Sequence, residues 1–250
     1  MSDNKIAILM PIFNGLEFAE ESILSVYAQT IPRALWKLFI IVNGYPEEEC
    51  DEVVRKLIKI TDKYGAEQVY YIGCFEQFEQ GRKGVANSLN YALRTHIDGE
   101  KYPLIALLDV DDKWAPHKLE KQLKYADRFD VIGTTCKYFG DSDASPYIPV
   151  GDIKYFQFLK SNPIINSSAL IRRYTHAHIH WDPEWEGIQD YELWLRLRCN
   201  PDMRFYNIDA PLTFHRIHGN SYGNKCNQQE RVRALVAKYS DKLIGGDTKK

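Results

Sequence analysis

Short apolar runs alternate with amphipathic segments along the first half of the chain. The apolar runs at residues 5–10, 38–42 and 68–72 each predict a buried strand. Apolar positions at near-helical spacing predict helices over residues 17–29, 47–64 and 84–96. Strands and helices that alternate in this way predict βαβ units, and therefore an α/β fold built around a parallel sheet.

A fourth apolar run, residues 104–108, leads directly into three carboxylates, Asp109, Asp111 and Asp112. A run without polar positions is typical of a strand that is buried on both faces of a parallel sheet. Ligands of such sheets bind at the carboxyl ends of the strands. Carboxylates crowded there repel one another unless a cation lies between them, and Mg²⁺ or Mn²⁺ suits oxygen ligands. The pattern predicts a divalent-metal and diphosphate site at this strand end.

The pattern becomes less regular after Asp112. Helices are predicted over residues 116–128, 190–199 and 227–243, and strands over residues 131–135, 203–208 and 212–217. Residues 140–149 are rich in Gly, Asp, Ser and Pro, which predicts a loop. Because no repeat or linker interrupts the chain, we expect residues 1–250 to form a single domain.

Composition and charge argue against two classes of protein. The 32 Lys and Arg residues nearly balance the 34 Asp and Glu residues, so the basic surface of a nucleic-acid-binding protein is not expected. No apolar run approaches the ~20 residues of a membrane span, and the first residues lack the pattern of a signal peptide. The five cysteines form no Cys-x-x-Cys pair, which predicts reduced thiols and a cytoplasmic location.

Five motifs follow one another in a recognisable order. They are Pro11-Ile12-Phe13-Asn14-Gly15, a helix from Glu21-Ser22-Ile23 to Gln29-Thr30, Leu108-Asp109-Val110-Asp111-Asp112, Ile188-Gln189-Asp190-Tyr191-Glu192-Leu193-Trp194-Leu195-Arg196-Leu197, and Arg216-Ile217-His218-Gly219-Asn220-Ser221. In this order, the chain resembles the family 2 inverting glycosyltransferases of the GT-A fold. The resemblance implies a Rossmann-like, mixed but mainly parallel sheet flanked by helices. It implies a nucleotide-sugar half to about residue 112, an acceptor half over 113–226, and a C-terminal helix and tail over 227–250.

The resemblance implies that seven residues bind the nucleotide-sugar donor. They are Pro11, Phe13, Asn43, Asn90, Asp109, Val110 and Asp111. Phe13 is expected to stack on the base, and the alternative is that its ring only packs on the sheet. Asn43 replaces an Asp that is usual in the family, so a uracil contact is retained but the identity of the base is less certain. A basic residue usual near the diphosphate is missing, and Arg82 or Lys83 would take its place.

The resemblance also assigns metal ligands and a catalytic base. Asp111 and His218 are implied to bind Mn²⁺ or Mg²⁺, which would neutralise the departing diphosphate, and His215 is a lesser candidate. Asp190 is implied to be the base that takes the proton of the acceptor hydroxyl, and the alternative is that it caps its helix. Asp112 is the third carboxylate of the acidic cluster, and its alternative role is to cap the following helix or turn.

Two further patterns lie just before Asp190. The indoles of Trp181 and Trp185 are candidates for the floor of an acceptor-sugar site. On a strand, His176, His178 and His180 would share one face and suggest zinc, but no cysteine or acidic residue accompanies them.

The leading functional hypothesis is an inverting, metal-dependent transferase. It would move a sugar from a nucleoside-diphosphate sugar, with UDP-sugars favoured, to a hydroxyl of a glycan or glycoconjugate by direct displacement. A lipid-linked acceptor would place the protein at a membrane surface. One alternative is a sugar-phosphate nucleotidyltransferase, which would carry a basic, Gly-rich loop after the first strand. Another is a non-catalytic binding module, which the departures at Asn43, Val85 and Gln189 leave open.

Overall fold

The described strands of the protein form one sheet. The structure is a computed structural model, and it describes residues 5–74, 81–82, 84–173, 179–219 and 228–247. The strands are β1 (Ile6–Ile12), β2 (Trp36–Val42), β3 (Val69–Gly73), β4 (Leu104–Leu107), β5 (Lys113–Trp114), β6 (Val131–Gly140), β7 (Gly151–Asp152), β8 (Leu170–Arg172) and β9 (Phe205–Ile217). Their order is β3-β2-β1-β4-β8-β6-β9-β5, and β7 pairs with β9.

The sheet is mixed and mainly parallel, as predicted. Strands β1, β2, β3 and β4 pair in parallel, and β6 pairs in parallel with β9. Strand β8 is antiparallel to both β4 and β6, so it joins the two parallel parts. Because β4 and β9 run in the same direction, their carboxyl ends lie at the same edge of the sheet. That edge is where a parallel sheet binds its ligands.

Helices cover both faces of the sheet. In the described residues they are α1 (Ala19–Tyr27), α2 (Glu47–Thr61), α3 (Val85–Thr95), α4 (Lys118–Leu123), α5 (Tyr155–Lys160), α6 (Gln189–Arg198) and α7 (Gln228–Asp247). Strand β1 shows the two-sided burial, because its side chains alternate between two cores. Ala7 and Leu9 pack in the core that contains α3, α6 and α7, whereas Ile8 and Met10 pack in the core that contains α1 and α2.

Four predicted elements differ from the observed ones. The predicted strands 203–208 and 212–217 are one strand, β9, because its pairing with β6 continues through register shifts at Thr134 and Thr135. Strand β6 therefore extends to Gly140 and not to residue 135. The predicted helix 116–128 is limited to α4, because beyond it the N–H groups of Tyr125 and Ala126 bond three residues back and form turns.

The short strand β5 brings the acidic segment to the end of β9. Lys113 pairs with Phe214 and Trp114 with Thr213, immediately after Asp112 in the chain. Residues 109–112 therefore lie beside residues 215–218. In the part of the chain that the structure describes, no helix has the length and apolar character needed to cross a membrane.

Candidate active site

The turn after β4 holds the predicted acidic cluster, and Asp109 is fixed within it. Its carboxylate accepts hydrogen bonds from Asn166 Nδ2 at 2.9 Å and from Ser167 Oγ at 3.1 Å. Its main-chain N–H donates to Ser167 Oγ at 3.0 Å. Burial raises the pKa of Asp109 to about 7, and the charges of Asp112 and Asp111 add to the effect. The segment before β8 therefore orients a carboxylate that is difficult to ionise without a nearby cation.

Asp111 and His218, the two predicted metal ligands, are brought together. His218 Nε2 lies 3.0 Å from Asp111 Oδ2, and the imidazole packs against the ring of Phe18 with centroids 5.1 Å apart. Arg216 Nε donates to the main-chain oxygen of Asp111 at 2.9 Å, and its guanidinium lies between the rings of Phe18 and Phe139. Burial and the charge of Asp112 raise the pKa of Asp111.

Asp112 ties this turn to β9. The buried carboxylate accepts hydrogen bonds from His215 Nδ1 at 3.1 Å and from the main-chain N–H of Arg216 at 2.9 Å. The N-cap of α4 is His117, so Asp112 does not cap the next helix. Burial lowers the pKa of His215, but Asp112 and the other carboxylates outweigh it and raise that pKa to about 9. His215 is thereby held against Asp112 beside the acidic cluster.

The residues present fit a hard divalent cation. Among the described residues no group of three or more His, Cys, Asp and Glu side chains forms a ready-made metal site. Mg²⁺ and Mn²⁺ do not need such a site, because they commonly bind one or two protein ligands together with water and substrate phosphates. Asp111 and His218, which contact each other, offer two atoms that could bind such a cation, and the mutual repulsion of the carboxylates favours a cation between them.

Asp190 lies in the first turn of α6. Ile188 is the N-cap of this helix and its side chain makes no capping hydrogen bond. The Asp190 carboxylate accepts hydrogen bonds from the main-chain N–H groups of Tyr191 and of Asp190 itself in this first turn, so the alternative role in holding the helix start stays open. Asn162 Nδ2 donates to Asp190 Oδ2 at 2.8 Å. Burial raises the pKa of Asp190. The hydrogen bond from the main-chain N–H of Tyr191 lowers this pKa most, and the bond from Asn162 and the charge of His215 also lower it. A carboxylate with a raised pKa that still accepts a hydrogen bond has the character of a general base.

One short segment contacts both Asp109 and Asp190, the carboxylates predicted to bind the donor and to act as the base. Asn162 contacts Asp190, whereas Asn166 and Ser167 contact Asp109, which comes from a different half of the chain. The sequence analysis missed these three residues. Their signal was a set of polar side chains around the apolar residues 163–165, just before a short apolar run. That signal identifies a buried polar segment but does not name its partners.

The end of β1 offers an exposed aromatic ring. Phe13 is 48% exposed and lies 5.7 Å from the ring of Tyr45. Gly44 makes room for it, because a Cβ at that position would lie 2.3 Å from the Phe13 ring. Asn43 is buried and its Nδ2 donates to the main-chain oxygen of Ile12. Its side-chain oxygen is therefore the atom that could contact the base of a nucleotide. Pro11 lies within β1.

Two of the residues predicted to bind the nucleotide-sugar donor have side chains that make contacts within the protein. Both polar atoms of the Asn90 amide bond the main chain of Trp181, at 2.6 and 2.9 Å, which is a structural role and not the predicted donor contact. The Val110 side chain is buried and packs against Gly15, so only its main chain is available to a ligand.

The predicted aromatic floor for an acceptor sugar is also wrong. Trp181 and Trp185 are buried in the core with α6 and α7, since large apolar rings gain most from leaving water. Arg82 is exposed. Lys83, His176 and His178 lie outside the described residues. The zinc suggestion therefore stays untested.

Comparisons with known proteins agree with this fold. The family model described as glycosyl transferase family 2 matches residues 7–181, which include the acidic cluster and end before Asp190 and His218. The O-antigen biosynthesis glycosyltransferase WbnJ of Escherichia coli is 25% identical over 230 residues, covering 86% of this chain and 81% of the relative. The putative teichuronic acid biosynthesis glycosyltransferase TuaG of Bacillus subtilis is 26% identical over 221 residues, covering 86% of this chain and 80% of the relative.

Solved structures with low sequence identity share the fold. TarS residues 1–349 of S. aureus, in complex with UDP-GlcNAc, has a TM-score of 0.70 at 12% identity, covering 94% of this chain and 66% of that one. The mannosyltransferase PcManGT of Pyrobaculum calidifontis, in complex with GDP-Man and Mn²⁺, has a TM-score of 0.63 at 14% identity, covering 98% and 64%. The chain spans about two thirds of the length of these two structures. The chain belongs to glycosyl transferase family 2 and has the GT-A fold of a glycosyltransferase.

Proposed function

We propose that this chain is an inverting, metal-dependent transferase that uses a nucleoside-diphosphate sugar, with a UDP-sugar favoured. The observation that carries the proposal is the segment 162–167, which forms hydrogen bonds with both Asp190 and Asp109. The positive charge of His215 lowers the pKa of both carboxylates, which supports their proximity. Support for the donor class is that solved structures of this fold contain UDP-GlcNAc or GDP-Man, the latter with Mn²⁺.

Direct displacement requires a single base, and Asp190 is suited to it. The carboxylate takes the proton of an acceptor hydroxyl while the hydroxyl oxygen attacks the anomeric carbon and the bond to the diphosphate breaks. Burial raises the pKa of Asp190, which makes its ionised form a stronger base, and Asn162 keeps the carboxylate oriented. Attack from the side opposite the leaving group inverts the anomeric centre.

The acidic cluster is proposed to bind the donor. Asp111 and His218 would hold Mn²⁺ or Mg²⁺, which when bound offsets the negative charge of the leaving diphosphate. Phe13 would stack on the base, and the side-chain oxygen of Asn43 would accept the N–H of uracil. Asp109, oriented by Asn166 and Ser167, would contact the ribose or the base.

The proposed acceptor is a hydroxyl of a glycan or glycoconjugate. The two curated relatives described above are named for O-antigen and teichuronic acid biosynthesis, which supports this class. Family membership argues against the sugar-phosphate nucleotidyltransferase considered from the sequence.

A thermal-shift panel tests the donor site. UDP, GDP, CDP and dTDP, and their sugar conjugates, are each added with Mn²⁺ or with EDTA. A metal-dependent rise in Tm with one nucleotide identifies the base, because a ligand of the folded state stabilises it. Asp111→Asn should lose this rise. If no nucleotide raises Tm in Mn²⁺, the proposed donor site is wrong.

Release of nucleoside diphosphate from the matching donor then tests catalysis. Asp190→Asn should keep the metal-dependent rise in Tm but release no product above background. If Asp190→Asn releases product as fast as the wild type, Asp190 is not the base. If the wild type binds the donor but never releases diphosphate in the presence of glycan acceptors, the non-catalytic binding module is the correct description.

A further inference from the structure

Helix α7 packs beside the candidate active site through one face. Leu235, Tyr239 and Leu243 are buried in the core and recur at every fourth position, which places them in one row. Arg231 continues this row by one more turn towards the start of the helix. Its side chain reaches the loop that precedes α6, the helix that carries Asp190.

Arg231 holds the main chain of that loop at two points. Its Nη1 donates to the carbonyl of Glu186 at 2.6 Å, and its Nη2 donates to the carbonyl of Glu184 at 2.8 Å. A planar guanidinium fixes two acceptors in one orientation, which an ammonium group cannot do. One turn earlier on α7, Gln228 Nε2 lies 3.4 Å from the carbonyl of Gly187.

The same loop is held from its other side by α3. The Glu186 carboxylate accepts the main-chain N–H of Val85 at 2.7 Å and that of Ala86 at 3.1 Å. These N–H groups lie in the first turn of α3, where a carboxylate replaces missing helical acceptors and is stabilised by the helix dipole. A Cβ at Gly84 would lie 2.8 Å from the Glu186 carboxyl carbon, so this contact is closely packed.

Glu186 is therefore fixed through its main chain by α7 and through its side chain by α3, four residues before Asp190. We propose that Arg231 is a positioning residue of the active site, which sets the place of Asp190 relative to the donor through the main chain of residues 184–187. This inference rests on the proposed function. A displacement of about 1 Å in a reacting group lowers turnover by about 100-fold.

Steady-state kinetics of three variants test the inference. Arg231→Gln removes the two-point contact, Arg231→Lys restores the charge and one hydrogen bond, and Arg233→Gln is a control on the exposed surface of the same helix. We expect kcat of Arg231→Gln to fall about 10- to 100-fold while the donor KM stays within about twofold. Arg231→Lys should lie between it and the wild type, and Arg233→Gln should equal the wild type.

A purely structural role gives a different result. If Arg231→Gln lowers Tm but leaves kcat within about twofold of the wild type, the inference is overturned. If that variant does not fold, Arg231→Lys decides, because a wild-type kcat in Arg231→Lys also overturns it. Failure of the proposed function is distinct, since it is seen in the wild type as absent transfer, or in Asp190→Asn as transfer at the wild-type rate.

Discussion

The hydrogen bond from Asn162 to Asp190 makes a specific prediction about pH dependence. Asn162→Ala removes a donor that lies 2.8 Å from the carboxylate and favours its ionised form. Burial already raises the pKa of Asp190, so losing this bond should raise that pKa further. The acid limb of the kcat profile should therefore move to higher pH.

The size of the effect follows from the charge on the acceptor. A hydrogen bond to a charged group contributes about 1.5–3 kcal/mol, which corresponds to about a 10- to 150-fold change in an equilibrium. At a pH on the acid limb, Asn162→Ala should therefore be about 10- to 150-fold less active than the wild type. Near the alkaline plateau, where Asp190 is ionised in both proteins, the difference should be much smaller.

The assay is release of nucleoside diphosphate at saturating donor across the pH range, with Tm recorded at each pH. Asn166→Ala is the matched control, because it removes the same side chain from the same segment but its partner is Asp109. This control should weaken donor binding and leave the acid limb in place. If the acid limb of the kcat profile is the same for folded Asn162→Ala as for the wild type, Asn162 does not set the pKa of Asp190.

Three other substitutions have outcomes set by particular contacts. His218→Ala should lower the Mn²⁺-dependent part of the nucleotide-induced rise in Tm, with His96→Ala, an exposed histidine on another helix end, unchanged. Phe158→Ala should lower the free energy of unfolding by about 3–5 kcal/mol in urea titration, because the ring is fully buried against Phe205. Glu192→Ala should lower the free energy of unfolding by about 3 kcal/mol or more in the same assay, since Arg196 and Tyr239 lose their buried carboxylate acceptor.

Much of the fold could be predicted because the signal is local. Strands β1 and β2 are buried on both faces, so each is an apolar run, and β1, β2 and β3 lie in parallel as predicted. Helix α6 was predicted to within one residue at each end. The second half was less predictable, because the extent of β6 and β9 depends on their pairing with each other. Pairing between distant strands leaves little trace in either strand alone.

The candidate site, like the fold, was predictable from the sequence only in part. The sequence by itself determined the residue types at the end of β4 and the order of the motifs, and these were enough to indicate the family and to suggest Asp111 with His218. Only the tertiary structure decided their partners. It brought three pairs within hydrogen-bond distance, namely Asn162 with Asp190, Asn166 with Asp109, and Trp181 with Asn90.

The physical reason is the range of the interactions involved. Burial of an apolar run and the chemistry of a carboxylate belong to neighbouring residues, and a linear pattern records them. A hydrogen bond between side chains 57 positions apart, as for Asp109 and Asn166, depends on how several strands and helices pack. The same packing buried Trp185 in the core and brought Arg231 to the loop before Asp190, and neither residue's neighbours in the chain contain that information.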